Sequence, residues 1–278
     1  MGDSTTVQPV QNIEGGADST RQAEPSLSLI VPAYNEAARI GITVREVVAW
    51  LSGQPFATEL IVVDDGSNDA TANLADRALS ALGVGRVIRI THGGKAAAVR
   101  AGMLAATCDQ IAFTDADLAT PLSYLGELRA ALAAGCDVAI GSREGAGARR
   151  FGEPNYRHLM GRVFNGLVRV LLLPDVHDTQ CGFKLFRADV AGDLLLRSRL
   201  YRDARQIVSG PRVTAFDVEL LTIARLNRYR ICSVPVVWRY GEGSKVRPAH
   251  DTWHNVRDVL DVWIAAKRGR YCDGSRKP

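Results

Sequence analysis

Short apolar runs alternate with amphipathic segments along the first half of the chain. The apolar runs end at proline, glycine or acidic residues, as buried strands commonly do. The segments between them carry apolar residues at helical spacing, such as Ile40, Val44 and Val47 within residues 36–52. This pattern predicts strands over residues 27–33, 59–67, 85–91, 110–117 and 136–143, and helices over residues 36–52, 69–82, 95–107 and 121–134.

The order of these elements predicts an α/β fold with a mostly parallel central sheet and helices on both faces. In such sheets, ligands bind outside the carboxyl ends of the strands. Polar residues follow four of the predicted strands at that edge: Asn35 with Glu36, Asp64 with Asp65, Asp115 with Asp117, and Ser142 with Arg143. We therefore expect these groups to form a single site.

The second half of the chain is less regular. Residues 144–162 are rich in glycine and arginine, and we interpret them as a loop that leads to a helix over residues 163–173. The pattern beyond them predicts a strand over residues 178–187, a helix over 216–230, a strand over 231–240 and an amphipathic helix over 251–270.

Composition divides the chain into three parts. Residues 1–25 are polar and rich in small residues, which predicts a disordered tail. They lack the basic and apolar regions of a signal peptide. The α/β domain is predicted to span residues 26–248, and residues 249–278 are predicted to form an amphipathic helix with a basic tail. No apolar run reaches the roughly 18 residues that a transmembrane helix requires.

Charge and cysteine content narrow the chemistry only slightly. The 278 residues are 46% hydrophobic, enough for a substantial core, and carry a net charge of +4. This mild basicity suits anionic small ligands or a membrane surface, and we expect no nucleic-acid partner. The five cysteines are scattered and form no CxxC pair. They predict a reducing compartment, with neither a disulfide framework nor a zinc cluster.

Asp115 and Asp117 are the strongest chemical signal. Two carboxylates one residue apart repel each other unless a cation lies near them. Mg²⁺ or Mn²⁺ suits such a pair, because these hard cations accept a few carboxylates and leave positions for substrate phosphates. The structural alternative is that Asp117 or Thr120 caps the helix that follows.

A phosphatase of the haloacid dehalogenase type is a second alternative, because that class also places an acidic DxD after a strand. Its first aspartate is a nucleophile, and a threonine or valine follows the motif, where this chain has Ala119. Its acidic pair also comes late in the chain, whereas Asp64 and Asp65 come early. The order of the motifs therefore disfavours this class.

Asp64 and Asp65 suit recognition of a nucleotide. A carboxylate after the second strand can accept hydrogen bonds from a nucleobase N–H or a ribose hydroxyl. Gly66 permits the tight turn that presents it. The alternative is that both aspartates, with Ser67, only shape the turn and cap the next helix.

The motifs together resemble those of a known family. They are VPAYNE, VVDDGSND, GKAAAVRAG, DAD, GSR, DTQCGFKLF and FDVELL. The set is similar to inverting family 2 glycosyltransferases with a GT-A fold. It most resembles the branch that contains dolichyl-phosphate β-glucosyltransferases and polyprenyl-phosphate mannose synthases. The resemblance covers residues 27–262 and implies a Mg²⁺- or Mn²⁺-dependent enzyme with a nucleotide-sugar donor and a polyprenyl-phosphate acceptor.

The resemblance also implies roles for individual residues. Those at nucleotide-sugar positions are Pro32, Tyr34, Glu36, Asp64, Asp65, Lys95, Asp115, Ala116 and Gln180. Asp115 and Asp117 match the metal ligands, and Arg143 and Arg157 match positions that hold the acceptor phosphate. The catalytic positions are Asp117, Asp217, Arg239 and Lys245.

Three residues depart from the family pattern. Ala96 replaces the second glycine of a Gly-Lys-Gly segment, and Ala119 stands where related mannosyltransferases often have glutamine. Gly161 replaces a small polar residue four positions after Arg157. These differences concern the local backbone, one metal ligand and one acceptor contact, respectively.

The nature of the acceptor determines the expected role of Asp217. A phosphate monoester has a second pKa of about 6, so it is mostly dianionic at neutral pH and needs no base. We therefore expect Asp217 to orient acceptor or sugar, while Glu219 is as consistent with a helix cap. UDP-glucose is the expected donor. The alternative donors are GDP-mannose and a UDP-N-acetylhexosamine, and the alternative acceptor is a non-lipid molecule. A nucleotide-binding module without turnover is the alternative to an enzyme.

A lipid acceptor without a membrane-spanning helix implies peripheral contact, expected on the cytoplasmic face. Residues 164–173 and 258–271, the latter with Trp263, are candidates for the membrane interface. Packing in the core is the alternative for both segments. A small polytopic membrane protein is another route to the bilayer, and the oligomeric state is left open.

Overall fold

A computed structural model describes residues 24–200, 215–241 and 248–272 of the chain. Most of the predicted N-terminal tail and Lys245 lie outside these ranges. Within the described residues, no helix has both the length and the apolar character needed to cross a bilayer.

Nine strands and eight helices make up the described part of the chain. The strands are β1 Leu27–Ala33, β2 Thr58–Asp64, β3 Arg86–Arg89, β4 Gln110–Phe113, β5 Val138–Ser142, β6 Arg149–Phe151, β7 Lys184–Arg187, β8 Ile231–Pro235 and β9 Val237–Arg239. The helices are α1 Ile40–Ser52, α2 Thr71–Leu82, α3 Lys95–Ala105, α4 Tyr124–Ala133, α5 Asn155–Leu171, α6 Ala188–Arg197, α7 Phe216–Leu226 and α8 Pro248–Lys267.

Seven strands form the central sheet in the order β3-β2-β1-β4-β7-β5-β8. Strand β7 runs antiparallel to β4 and β5, and the other neighbouring pairs are parallel. The predicted mostly parallel sheet is therefore confirmed. Strands β6 and β9 form a separate parallel pair beside it.

Two apolar clusters cover the two faces of the sheet. Alternate residues of β1 divide between them, since Ile30 faces one cluster and Leu29 and Val31 face the other. Helices α3, α5, α6, α7 and α8 contribute to the first cluster, and α1, α2 and α4 to the second. The prediction of helices on both faces is confirmed, and α8 packs into the same core as the central domain.

The predictions for the second half of the chain were partly wrong. Residues 144–162 are not one loop, since they contain β6 and the first two turns of α5. Only the last four residues of the predicted strand 178–187 are extended, and α6 follows them directly. The predicted strand 231–240 is divided into β8 and β9, which belong to different sheets. Strands this short are stabilised by partners distant in sequence, so local pattern does not reveal them.

The scattered cysteines predicted no disulfide framework, but the structure contains one disulfide. Cys136, just before β5, is bonded to Cys232 in β8, 96 residues later. These two strands are neighbours in the sheet, which places the two Cα atoms 6.1 Å apart. Spacing along the sequence could not reveal this pair, because it depends on the order of the strands.

Candidate active site

The strand order brings the predicted site residues to one edge of the sheet. Strand β1 lies between β2 and β4, and all three run parallel. Ala33 at the end of β1 pairs with Asp64 at the end of β2, and Thr114 after β4 donates to the carbonyl of Ile30. The segments that leave these strands, including Asp115, therefore emerge side by side.

Helix α1 holds the turn that carries Asp115 and Asp117. The Thr43 hydroxyl donates to the Ala116 carbonyl oxygen at 2.6 Å, and both residues are buried. The Asp117 carboxylate accepts a hydrogen bond from the Ala119 backbone N–H at 3.1 Å. The cap at the start of α4 is Ser123, without a side-chain hydrogen bond, so neither Asp117 nor Thr120 caps that helix.

Two glycines make room for the carboxylates of this turn. A Cβ atom added to Gly182 would lie 2.0 Å from Asp115 Oδ2, far inside contact distance. A Cβ added to Gly241 would lie 3.0 Å from Asp117 Oδ2. The backbone after the DTQC segment and the backbone after β9 therefore pack directly on the two acids.

Lys95, the first residue of α3, points into the same cluster and forms an ion pair with Asp115. Burial alone would lower the pKa of Lys95, but Asp115, Asp217 and Asp117 together raise it. Asp217, at the start of α7, forms an ion pair with Lys184 at 3.2 Å. Two of the acids at this edge are therefore each paired with a lysine: Asp115 with Lys95 and Asp217 with Lys184.

The charges around Asp117 suit a cation. Burial and the neighbouring Asp115 raise the pKa of Asp117, so its negative charge is unfavourable unless a positive charge approaches. Among the described residues, no group of three metal-binding side chains occurs. Two aspartates fit Mg²⁺ or Mn²⁺, because these ions are commonly bound by one or two carboxylates and use their other coordination positions for water and phosphate oxygens.

Asp64 and Asp65 have different environments. Asp65 accepts hydrogen bonds from the backbone N–H groups of Gly93 and Gly94 at 2.8 and 2.9 Å, and its Oδ2 lies 2.8 Å from His92 Nδ1. Asp64 Oδ2 accepts from the Ser67 N–H, whereas its buried Oδ1 has no hydrogen-bond partner in the described structure. Asp64 is therefore the better candidate to accept a ligand N–H.

The other predicted nucleotide-binding residues lie along β1 and the loop after it. Pro32 is within β1, and Tyr34 stacks on His92 with ring centroids 4.0 Å apart. Glu36 forms an ion pair with Arg39 at 2.8 Å, and its backbone N–H donates to Thr71 Oγ1. These contacts order the loop between β1 and α1 beside the turn after β2.

Arg143, predicted to hold phosphate, is already engaged by a buried acid. Its Nε and Nη2 donate to Asp178 at 2.7 and 2.8 Å, and its guanidinium lies 5.3 Å from the Trp238 ring centroid. Burial alone would raise the pKa of Asp178, but the pairing with Arg143 lowers it well below the usual range. Asp178 therefore fixes the orientation of Arg143.

Replacing Asp178 with asparagine is expected to reduce the free energy of unfolding at neutral pH by about 3–5 kcal/mol, because Arg143 is left buried without its counterion. The lowered pKa means that the stabilisation is present above about pH 4 and is lost as the pH falls through the folded-state value. Urea unfolding between about pH 3 and about pH 7 should therefore depend less steeply on pH in the variant. Equal slopes in both proteins would contradict this assignment.

Arg157, Arg239 and Gln180 complete the set of predicted site residues in the described part of the chain. Arg157 lies in the first turn of α5, and its guanidinium is 5.3 Å from the ring centroid of Tyr240. A Cβ added to Gly161, on the same helix, would meet no atom within 4 Å. The backbone N–H of Arg239 donates to the Ala119 carbonyl, which joins β9 to the acidic turn. Gln180 is half-buried, and its backbone N–H donates to Asp178.

Glu219 is separate from the site. It is fully buried, and it accepts hydrogen bonds from the backbone N–H groups of Arg199 and Leu200 and from the Tyr271 hydroxyl. Burial raises the pKa of Glu219. These contacts join α7 to the end of α6 and to the residues after α8, so Glu219 has a structural role.

Sequence reasoning missed several residues that shape the site. Each of them neighbours a predicted site residue: Thr43 neighbours Ala116, His92 neighbours Asp65, Asp178 neighbours Arg143, Gly182 neighbours Asp115, and Lys184 neighbours Asp217. Asp178, Gly182 and Lys184 belong to the DTQCGFKLF motif, so the resemblance contained a signal for them. Thr43 lies within an amphipathic helix and gave no sign of its role.

The fold and the edge cluster define an α/β protein with an acidic turn at the carboxyl end of its parallel sheet. The sequence profile of glycosyl transferase family 2 matches residues 28–195, and the chain belongs to this family. The family and the GT-A-type fold predicted from the motifs are thereby confirmed.

Two relatives match most of the chain. It is 35% identical over 257 residues to the dolichyl-phosphate beta-glucosyltransferase of Drosophila melanogaster, covering 86% of this chain and 74% of the relative. It is 32% identical over 264 residues to the Homo sapiens protein of the same name, covering 90% and 76%, respectively.

Solved structures share the fold. Glucosyl-3-phosphoglycerate synthase from Mycobacterium tuberculosis, in complex with Mn²⁺, UDP and glucosyl-3-phosphoglycerate, aligns with a TM-score of 0.59 and 21% identity over 88% of this chain and 80% of its own. A mannosyltransferase from Pyrobaculum calidifontis, in complex with GDP-mannose and Mn²⁺, aligns with a TM-score of 0.57 and 19% identity. The alignment covers 92% of this chain and 67% of the mannosyltransferase. At these identities the likeness concerns the fold alone.

Proposed function

We propose that the chain is a metal-dependent, inverting glycosyltransferase that moves glucose from UDP-glucose to a polyprenyl or dolichyl phosphate. The observation that carries the proposal is the cluster of Asp115, Asp117 and Lys95 at the same sheet edge as Asp64, whose buried Oδ1 has no hydrogen-bond partner in the described structure. The two dolichyl-phosphate beta-glucosyltransferases that match at 32–35% identity support the choice of reaction and acceptor.

The donor would lie along the carboxyl ends of β1, β2 and β4. Asp64 Oδ1 is a buried acceptor that suits a nucleobase N–H, and the Tyr34–His92 stack borders the same loops. Asp115 and Asp117 would hold Mg²⁺ or Mn²⁺, which supplies charge neutralisation for the departing diphosphate. Lys95 adds a second positive charge on the side of α3.

The acceptor phosphate would approach from the side of α5 and β9. Arg143 is oriented by Asp178 through Nε and Nη2, and its remaining Nη1 edge can donate to a phosphate oxygen. Arg157 lies against Tyr240, which precedes Gly241, and a Cβ added to Gly241 would lie 3.0 Å from Asp117 Oδ2. Two arginines near the acidic turn can balance a dianion that must come close to it.

No general base is required for the transfer. The dianionic phosphate oxygen attacks the anomeric carbon, the bond from that carbon to the diphosphate oxygen breaks, and the configuration inverts. Asp217 is already paired with Lys184, which suits a carboxylate that positions ligands more than one that accepts a proton. Rate acceleration would come from alignment of the reactants and from stabilisation of the leaving group.

Donor choice can be tested by thermal shift titration with Mn²⁺. UDP-glucose is expected to raise the melting temperature more than GDP-mannose does. Asp64→Asn should weaken UDP-glucose binding about tenfold, since one amide oxygen must serve both Ser67 and the base. Asp76→Asn, on the exposed Asp76–Arg89 pair, is the matched control. A larger shift with GDP-mannose, or equal binding by both variants, would contradict the donor assignment.

A further inference from the structure

The outward face of α5 is apolar. Tyr156, Leu159, Val163 and Val170 are 55%, 63%, 67% and 84% exposed, although helices on the surface of a globular protein usually place such residues inward. Their spacing of three, four and seven residues puts them on one side of the helix. The opposite side, which includes Phe164, packs into the core.

The charges on α5 have a single sign. The helix contains Arg157, Arg162 and Arg169 and no aspartate or glutamate. Arg162 and Arg169 are exposed and are seven residues apart, so they form a basic edge along the apolar face. An exposed apolar stripe with a basic edge is the pattern of helices that lie in the interface of an anionic membrane.

The position of α5 relates this face to the candidate site. Arg157, in the first turn, lies against Tyr240. A Cβ added to the adjacent Gly241 would lie 3.0 Å from Asp117 Oδ2, so this backbone runs close to the Asp117 carboxylate. The apolar stripe begins at Tyr156, one residue before Arg157. A lipid whose phosphate reached this end of the site would have an apolar surface directly outside it.

Helix α8 is the other candidate from the sequence, and its side chains from residue 254 onward, where the structure describes them, lack this pattern. Its exposed Leu260 and Ile264 are interspersed with the exposed Arg257 and Asp261, as on an ordinary solvated face. Trp263 is half-buried and packs against the core. Packing in the core is therefore the better interpretation of α8, and the membrane candidate is α5.

We propose that the outward face of α5, formed by Tyr156, Leu159, Val163 and Val170 with Arg162 and Arg169 at its edge, docks on the surface of an anionic lipid bilayer. Contact with a bilayer would explain both the exposed apolar stripe and the absence of acids. The choice of a bilayer over another protein rests in part on the proposed function, because that function requires a membrane-embedded acceptor.

Vesicle sedimentation tests the proposal without turnover. The full chain is expected to bind phosphatidylcholine vesicles that contain phosphatidylglycerol, and to bind pure phosphatidylcholine less. Val163→Glu and Val170→Glu should each reduce partitioning about tenfold, because a charge replaces a buried apolar group at the interface. Leu104→Glu on α3 and Leu196→Glu on α6, at 64% and 74% exposure, are matched controls that should bind as the parent does.

Two outcomes would overturn the proposal. The first is unchanged vesicle binding by both α5 variants, which would place membrane contact elsewhere. The second is a change from dimer to monomer in size-exclusion chromatography while vesicle binding stays the same. That result would make this face a contact between copies of the chain. Transfer to a short, water-soluble polyprenyl phosphate should be the same in Val163→Glu and the parent. If the parent protein transfers no sugar to this acceptor, the proposed function is refuted, but the vesicle experiment still tests membrane docking independently.

Discussion

Replacing Gly182 with alanine is expected to lower kcat at least about 100-fold. The added Cβ would lie 2.0 Å from Asp115 Oδ2, and the carboxyl carbon and the other oxygen would lie 2.5 and 2.7 Å away. The Asp115 side chain must therefore leave its position beside Lys95 and Asp117. Steady-state kinetics at saturating metal would measure the loss.

Gly126→Ala is the matched control for this prediction. Gly126 lies in α4, and an added Cβ would meet no atom within 4 Å. This variant should keep its activity and gain slightly in stability, since alanine favours the helix. Full activity of Gly182→Ala would show that the position of Asp115 is not needed for the chemistry.

Replacing Lys184 with methionine is expected to reduce the free energy of unfolding by about 3–5 kcal/mol. Lys184 is only 1% exposed. Its ammonium donates to the Cys181 carbonyl oxygen at 2.5 Å, pairs with Asp217 at 3.2 Å and lies 5.5 Å from the Phe113 ring centroid. Methionine fills a similar volume but leaves Asp217 and the Cys181 carbonyl without this partner. Denaturation in urea would measure the loss.

A double variant separates the loss of the ion pair from loss of packing. In Lys184→Met/Asp217→Asn, the uncompensated carboxylate is also removed, so the destabilisation should be smaller than the sum of the two single effects. Strictly additive effects would mean that Lys184 and Asp217 are not coupled. Arg187→Met on the exposed Arg187–Asp189 pair is a surface control and should change stability by less than about 1 kcal/mol.

The parallel half of the fold was predictable because its signals are local. Strands β1, β2, β4 and β5 each contain an apolar run, and the ends of β2 and β4 are marked by Asp64 and Asp115. Strand β3 is shorter and has only Val87 and Ile88 between two arginines. The topological rule for parallel sheets then places these residues at one edge. The motif resemblance supplied Lys95, Arg143 and Asp217, which pattern alone would not distinguish from surface charges.

The remaining features depend on contacts between distant parts of the chain. Strand β7 enters the sheet antiparallel between β4 and β5, and this brings Gly182 and Lys184 beneath Asp115 and Asp217. The Cys136–Cys232 bond depends on the neighbouring strands β5 and β8. The difference between Asp64 and Asp65 arises from the Gly93–Gly94 turn, which is 28 residues further on.

The central claim is most directly tested by a transfer assay with a panel of donors. Purified protein, Mg²⁺ or Mn²⁺ and a short polyprenyl phosphate would be incubated with UDP-glucose, GDP-mannose, UDP-galactose or UDP-N-acetylglucosamine, and lipid extracts would be read by mass spectrometry. The account predicts a glycolipid from UDP-glucose that is absent without metal and in Asp117→Ala. Folded protein that forms no glycolipid from any of the four donors, or that releases phosphate without a sugar donor, would contradict it.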